Sequence, residues 1–180
     1  MTTTQDAGQP ETQLRERTFS WSDPAAIAAA GAGLSGAEFF AAIGAGTIPP
    51  PVMRALDFDG VAFGEGRAAF RLTPREFHYN PLGSVHGGVF ATMVDSACGC
   101  AVHTMLPAGV FYTSLDLSVK FLRPVTVDTG PITAEGTVVH LGRRTALAEA
   151  RITDEAGKIY VTATSSCLLI HPEKPSPQAR

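Results

Sequence analysis

The stretch "HGGVFATMVDSACGCAVHTML", residues 86–106, constrains the fold more than any other part of the chain. It contains no proline, and its spacing predicts a helix from Gly87 to about Leu106. Val89, Met93, Ala97 and Ala101 mark one face, and Phe90, Val94, Cys98 and Met105 fill the face beside it. A helix that is apolar on most sides is a buried helix, so the rest of the chain must wrap it. Asp95 is the single carboxylate inside this run. Burying an ion without a partner is costly, so Asp95 needs a pairing, a seam or a task.

The wrapping material follows the helix. In "FYTSLDLSVKFLRP" (111–124), Leu115, Leu117, Val119 and Phe121 alternate with Ser114, Asp116, Ser118 and Lys120. That pattern predicts a strand with one apolar and one polar face. Three more strands are expected over 131–141, 144–154 and 158–170, joined by short links that imply an antiparallel meander. Upstream, "LDFDGVAFGEG" and "RAAFRLTP" read as a hairpin turning at Gly64–Gly66. Two strands, a helix and four strands make an α+β plan, with an antiparallel sheet of about six strands curled around a long central helix.

Four zones result. Residues 1–17 are polar and aperiodic and read as a disordered tail. Residues 18–56 form an N-terminal helical extension, in which Ser35 can cap "GAEFFAAIGAG". A triple proline at 49–51 interrupts it, and "VMRAL" gives a short helical turn. Residues 57–170 form the main domain, and 171–180, with three prolines, a flexible C-terminal tail.

Composition excludes several classes. With 180 residues, 44% of them hydrophobic, the chain can build one real core. Its net charge of −3 gives no general attraction to nucleic acid or to an anionic membrane. No apolar run approaches the roughly 20 residues of a membrane span. The three cysteines, an odd number, fit reduced thiols and a cytoplasmic location. Cys98 and Cys100 are two apart on a helix and face different ways, so no metal site is expected there. His78, His86, Asp95 and His103 are too spread along loop and helix to hold one ion. "GAGLSG" (31–36) matches the dinucleotide fingerprint by letter but lacks the strand that should precede it, so its glycines read as a helix break. "HGG" without any G-x-S-x-G gives no serine hydrolase.

The remaining chemistry lies at the helix start. The first N–H groups of a helix lack internal partners and suit a developing negative oxygen. One such donor aimed at an oxyanion is worth about 3–4 kcal/mol in a dry site. Gly87 and Gly88 leave room for a ligand to approach that backbone. Asp95 could activate water or attack directly, or it could be structural, bonded to Thr92 or Ser96. Eight helical residues separate Asp95 from Gly87, about 12 Å of rise, so one carbonyl cannot touch both in a single chain. A two-fold dimer resolves this by offering the helix N-terminus from one subunit and Asp95 from the other.

The spacing N-x(5)-H-G-G-x(6)-D, here Asn80, His86, Gly87, Gly88 and Asp95, followed by "SLDLSVKFLRP", resembles the hotdog-fold acyl-CoA thioesterases, in particular the phenylacetic-acid-degradation type. The likeness covers roughly residues 55–170. It implies a hotdog fold and hydrolysis of an aromatic or medium-chain acyl-CoA to acid and CoA, without a cofactor. It implies a carbonyl polarised by the Gly87 N–H with help from Asn80, and Asp95 as base or nucleophile. A hydroxyl on the next strand should orient Asp95, namely Ser114, or Thr113 if the register slips. His86 either shapes the loop or touches substrate. Arg143, Arg144 and Arg123 are the candidates for the CoA phosphates, with Lys120 as a further one. The assembly implied is a homodimer or a dimer of dimers. Two other readings stand beside this one: a non-catalytic acyl-CoA-binding protein, and a hotdog hydratase or dehydratase. Residues 1–50 hold only two basic residues, Arg15 and Arg17, against five acids, which argues against a DNA-binding segment.

Overall fold

The structure is a computed structural model that describes residues 13–49 and 55–172. Most of the expected N-terminal tail, the last two prolines of 49–51, the first three residues of the "VMRAL" turn and nearly all of the C-terminal tail lie outside the described residues. The elements run α1 (Pro24–Gly31), α2 (Gly36–Gly44), β1 (Phe58–Gly64), β2 (Arg67–Leu72), α3 (Gly87–His103), β3 (Phe111–Ser114), β4 (Ser118–Phe121), β5 (Ile132–Leu141), β6 (Thr145–Asp154) and β7 (Ile159–Ile170). One antiparallel sheet holds every strand in the order β1-β2-β5-β6-β7-β3, with β4 also on β7. It curls around α3, the long helix that the apolar run predicted.

The burial of α3 explains the wrapping. Met93, Val94, Ala97, Cys98, Ala101 and Val102 have no accessible surface. All of these but Ala101 belong to one core cluster with inward residues of the sheet such as Ala134, Ala148, Ile152 and Val161. Small side chains on both surfaces let the layers approach closely. At Gly136 the contact is tightest, because a Cβ there would sit 2.2 Å from the carbonyl oxygen of Ala97. Any larger residue would push β5 off the helix.

The strand expected over 111–124 is broken in two, which brings the count to seven. Ser114 pairs with Cys167 and Ser118 with Thr164, so one extra residue is inserted between them. Asp116 explains the break: its carboxylate accepts from the Ser166 N–H (3.1 Å) and its carbonyl from the Ser165 hydroxyl (2.8 Å). A bulge of this kind changes which face later residues occupy. Residues directly paired across strands project to the same side. Ser114, opposite buried Cys167, therefore points toward α3, as do Val119 opposite Ala163 and Phe121 opposite Val161. The simple alternation had put Ser114 on the polar face away from Phe121; the bulge brings both to the helix side.

The extension is anchored rather than loose. Ser35 caps α2 in a reciprocal box with Glu38, as the sequence predicts. The glycines of 31–36 join two helices. The Gly36 N–H donates to the Leu106 carbonyl (2.9 Å), and Phe40 stacks on Phe63 with centroids 4.2 Å apart. Arg15 pairs with Glu76 (2.9 Å), and Arg17 pairs with Asp57 (3.2 Å) and lies over the Phe77 ring. These ties hold residues 15 and 17, which the sequence had placed in the tail.

Candidate active site

The loop before α3 builds the helix N-terminus. His78 is buried, and both ring nitrogens are used: Nδ1 accepts from the Arg75 N–H (2.9 Å), and Nε2 donates to the Leu56 carbonyl (2.7 Å). Its carbonyl accepts from the His86 N–H (2.8 Å), which fixes the entry to the helix. Burial holds the His78 ring below the ordinary imidazole range, so it stays neutral. Asn80 closes the intervening turn. Its Oδ1 accepts from the Leu82 N–H (2.8 Å) and the Ser84 N–H (3.4 Å), and its Nδ2 donates to the Ser84 hydroxyl (3.3 Å).

His86 is the N-cap of α3, with Nδ1 accepting from the Gly88 N–H at 2.9 Å. That bond satisfies one orphan donor and leaves the next one open. Among the described residues no hydrogen bond engages the Gly87 N–H. The open donor lies at the positive end of a 17-residue buried helix, as a developing oxyanion needs. The Phe121 ring lies against it: a Cβ on Gly87 would be 3.1 Å from the ring's Cζ.

Asp95 lies two turns further along, half-buried on the side of α3 that faces β3. Ser114 Oγ donates to Asp95 Oδ1 at 3.0 Å. Thr92, an alternative partner on sequence grounds, donates instead to the Gly88 carbonyl. Burial, reinforced by the Asp95 charge, pushes the Cys100 thiol up to about 12, and burial also raises the Tyr112 hydroxyl beside it. Cys98 is likewise raised to about 12 by burial, so neither helix thiol is a nucleophile near neutrality.

Asn80 and Gly87 line two adjoining cavities of about 510 Å³ and 360 Å³, with Phe121 common to both. Arg123 lines the smaller one and is also tied to the Ile159 carbonyl. Arg143 and Arg144 sit elsewhere, in the β5–β6 link, with their carbonyls bonded to His171 and Leu169. The structure thus brings Asn80, His86, Gly87 and Arg123 together at one end of α3 and joins Asp95 to Ser114 further on. It does not bring Arg143 or Arg144 to either group. A larger cavity of about 930 Å³ lies between α2, β1 and Thr104–Pro107, and none of these residues lines it. Phe121 is the site residue that sequence reasoning missed, because the bulge had moved it to the helix side.

The family model described as the thioesterase superfamily matches residues 82–161. A protein of Haemophilus influenzae named "Putative esterase" is 30% identical over 98 residues, covering 54% of this chain and 70% of that protein. The chain belongs to the thioesterase superfamily. By class it is a thioester hydrolase, and its curled sheet is the hotdog fold of that superfamily. A superfamily relative, the 1,4-dihydroxy-2-naphthoyl-CoA hydrolase of Listeria monocytogenes, is 26% identical over 99 residues, 55% of this chain and 79% of that protein. Among solved structures, a mutant of the phenylacetic acid degradation protein of Thermus thermophilus is 28% identical with a TM-score of 0.59, over 66% of this chain and 98% of that one. The chain spans about half the length of one curated relative it matches, 48% of a "Putative esterase" of Halobacterium salinarum that is 38% identical over 76 residues. The matched span contains Gly87, Asp95 and Ser114 but not Asn80 or the N-terminal extension.

Proposed function

We propose that the protein hydrolyses an acyl-CoA thioester to the free acid and CoA at sites shared between two subunits. The observation that carries the reading is the open Gly87 N–H at the start of α3, paired with an Asp95 already oriented by Ser114. The thioester carbonyl takes the Gly87 N–H, which stabilises the negative charge as the carbonyl carbon becomes tetrahedral. Asp95 of the partner subunit takes a proton from the attacking water, and the CoA thiolate leaves. Ser114 holds that carboxylate in place by donating to one oxygen, leaving the other free to accept. No cofactor enters this scheme. Arg123 lines a cavity together with Gly87, which supports it as a cation for the CoA arm. The names of the Listeria and Thermus relatives support CoA as the carrier and an aromatic acyl group.

The test is hydrolysis of an acyl-CoA panel, with release of free thiol as the readout. Wild type should turn over at least one member. Asp95→Asn should lower kcat by about 10²–10⁴-fold, the usual worth of a general base. An Asp95→Asn protein that folds and hydrolyses at the wild-type rate overturns the proposed role of Asp95. Tight acyl-CoA binding without turnover by wild type supports a binding protein instead.

A further inference from the structure

We propose that Arg17, in the segment ahead of α1, is a positioning residue for the Gly87 donor. Its guanidinium clamps the corner that receives His78, and His78 in turn fixes the entry to α3. This rests on the thioester-hydrolase reading above. Arg17, Asp57, Arg75 and His78 all lie outside the span matched by the family model.

The corner is Ala55, Leu56 and Asp57, just before β1. Among the described residues Asp57 is the one non-glycine with a positive φ, at +57. A conformation of that kind persists only where the surroundings hold it. Two guanidinium groups do so: Arg17 Nη2 meets Oδ1 at 3.2 Å, and Arg75 Nε meets Oδ2 at 3.5 Å. Arg17 Nη1 also donates to the Ala55 carbonyl (2.7 Å), so one side chain grips the corner on both sides of Leu56. The Leu56 carbonyl is the acceptor for His78 Nε2, and the Arg75 N–H is the donor to Nδ1. The same segment covers the turn that leads to His78, with Arg17 over the Phe77 ring at 4.1 Å and Arg15 paired with Glu76.

An isolated surface ion pair would do little. The Arg17 side chain is only 29% exposed, and it meets a carbonyl, a carboxylate and a ring at once. Without it the corner relaxes and takes the Leu56 carbonyl with it. His78 then follows Leu56 or gives up that bond. Either way its carbonyl moves, and with it the His86 N–H that it accepts at 2.8 Å, one residue before Gly87. An oxyanion donor works only when aimed, so a small displacement slows the reaction without loosening the substrate.

The experiment compares full-length wild type, Arg17→Ala, His78→Gln and the double variant, with Arg71→Ala as a control. Arg71 pairs with Glu155, away from this loop. The first readout needs no substrate. In protein labelled with nitrogen-15 at glycine, the Gly87 amide resonance is identified by its absence from Gly87→Ala. It should shift in Arg17→Ala and stay in place in Arg71→Ala. The second readout is acyl-CoA hydrolysis. Arg17→Ala should lower kcat by about threefold to tenfold with KM near wild type, the pattern of a weakened transition-state contact. In the His78→Gln background the same substitution should change kcat by less than about twofold, because the relay is already cut. The proposal is overturned if the Gly87 resonance does not move in Arg17→Ala, or moves as far in Arg71→Ala. It is equally overturned if Arg17→Ala leaves kcat at wild type, or lowers it as much beside His78→Gln as alone. A wild type inactive on every thioester defeats the hydrolase reading, and the positioning role falls with it, whatever the resonance does.

Discussion

Ser114 and Gly87 bear the sharpest expectations at the scale of single residues. The Ser114 hydroxyl donates to Asp95 across 3.0 Å, and in the proposed reaction its part is to orient that carboxylate. Ser114→Ala should lower kcat by about tenfold and leave KM near wild type, because the lost bond costs roughly 1–1.5 kcal/mol. Ser114→Thr should restore most of the rate, and failure of both parts in stopped-time assays would remove the orienting role. At Gly87 an added methyl meets Phe121 at 3.1 Å, tighter than ordinary contact. Because that ring is exposed it can swing away, so Gly87→Ala should fold with a nearly unchanged Tm yet lose activity by crowding the donor. A large fall in Tm would instead show that Gly87 is needed for packing. The residues legible in the sequence here were those whose spacing is set by one helix and its cap. His86, Gly87 and Asp95 keep their relations because a helix has fixed rise and local capping, and Asn80 keeps its place through a short turn closed on Leu82 and Ser84. Phe121 was illegible for an opposite reason. Its face depends on Asp116 bonding to β7, a contact between residues 50 positions apart.

The same contrast holds among elements. The buried helix and the β5–β6–β7 meander followed from period and short links. The Glu65–Gly66 hairpin turn followed from its glycines, and Gly66 takes φ +68 there. The break between β3 and β4 did not follow, since the letters alternate straight through it. The loop that carries the helix N-terminus also depends on something the letters hide, namely a buried neutral His78. Its folded pKa lies below the ordinary value of 6.5, first because of burial. The charged groups around it are Asp57, which favours protonation, and Arg17 and Arg75, which oppose it. The neutral ring is the form the fold prefers, and Nδ1 must keep its lone pair to accept from Arg75. The stabilisation is therefore present above the unfolded pKa and is lost as pH falls from about 6.5 through the lower folded value. His103, held low by burial against Phe39, Phe40 and Tyr112, adds a slope of the same sign. Urea unfolding at pH 7.5, 6.5 and 5.5 should show falling stability, with a shallower slope in His78→Gln. An unchanged slope in that variant would mean that other groups govern the acid response.

At the scale of the molecule, the sheet ends at β3 and β4, and that edge is apolar. Phe111, Leu115 and Leu122 are 55%, 57% and 51% exposed there. A free edge strand lined with large apolar side chains is an aggregation hazard unless something covers it. The two half-sites open near the same edge, Asp95 by way of Ser114 on β3 and Gly87 by way of Phe121 on β4. A second copy related by a two-fold axis would cover the apolar edge and complete both sites. Mixing two inactive variants tests this directly. Asp95→Asn retains an intact Gly87, and Gly87→Val retains an intact Asp95. If each site takes its glycine from one subunit and its aspartate from the other, a mixed dimer has one wild-type site and one doubly altered site. Random exchange makes half of the dimers mixed, so an equimolar mixture should recover about a quarter of wild-type activity. A site built from one chain would recover nothing, because every site would still carry a defect. Light scattering must show that the subunits associate, and recovery should rise with the time allowed for exchange. Recovery absent after complete exchange would end the shared-site mechanism.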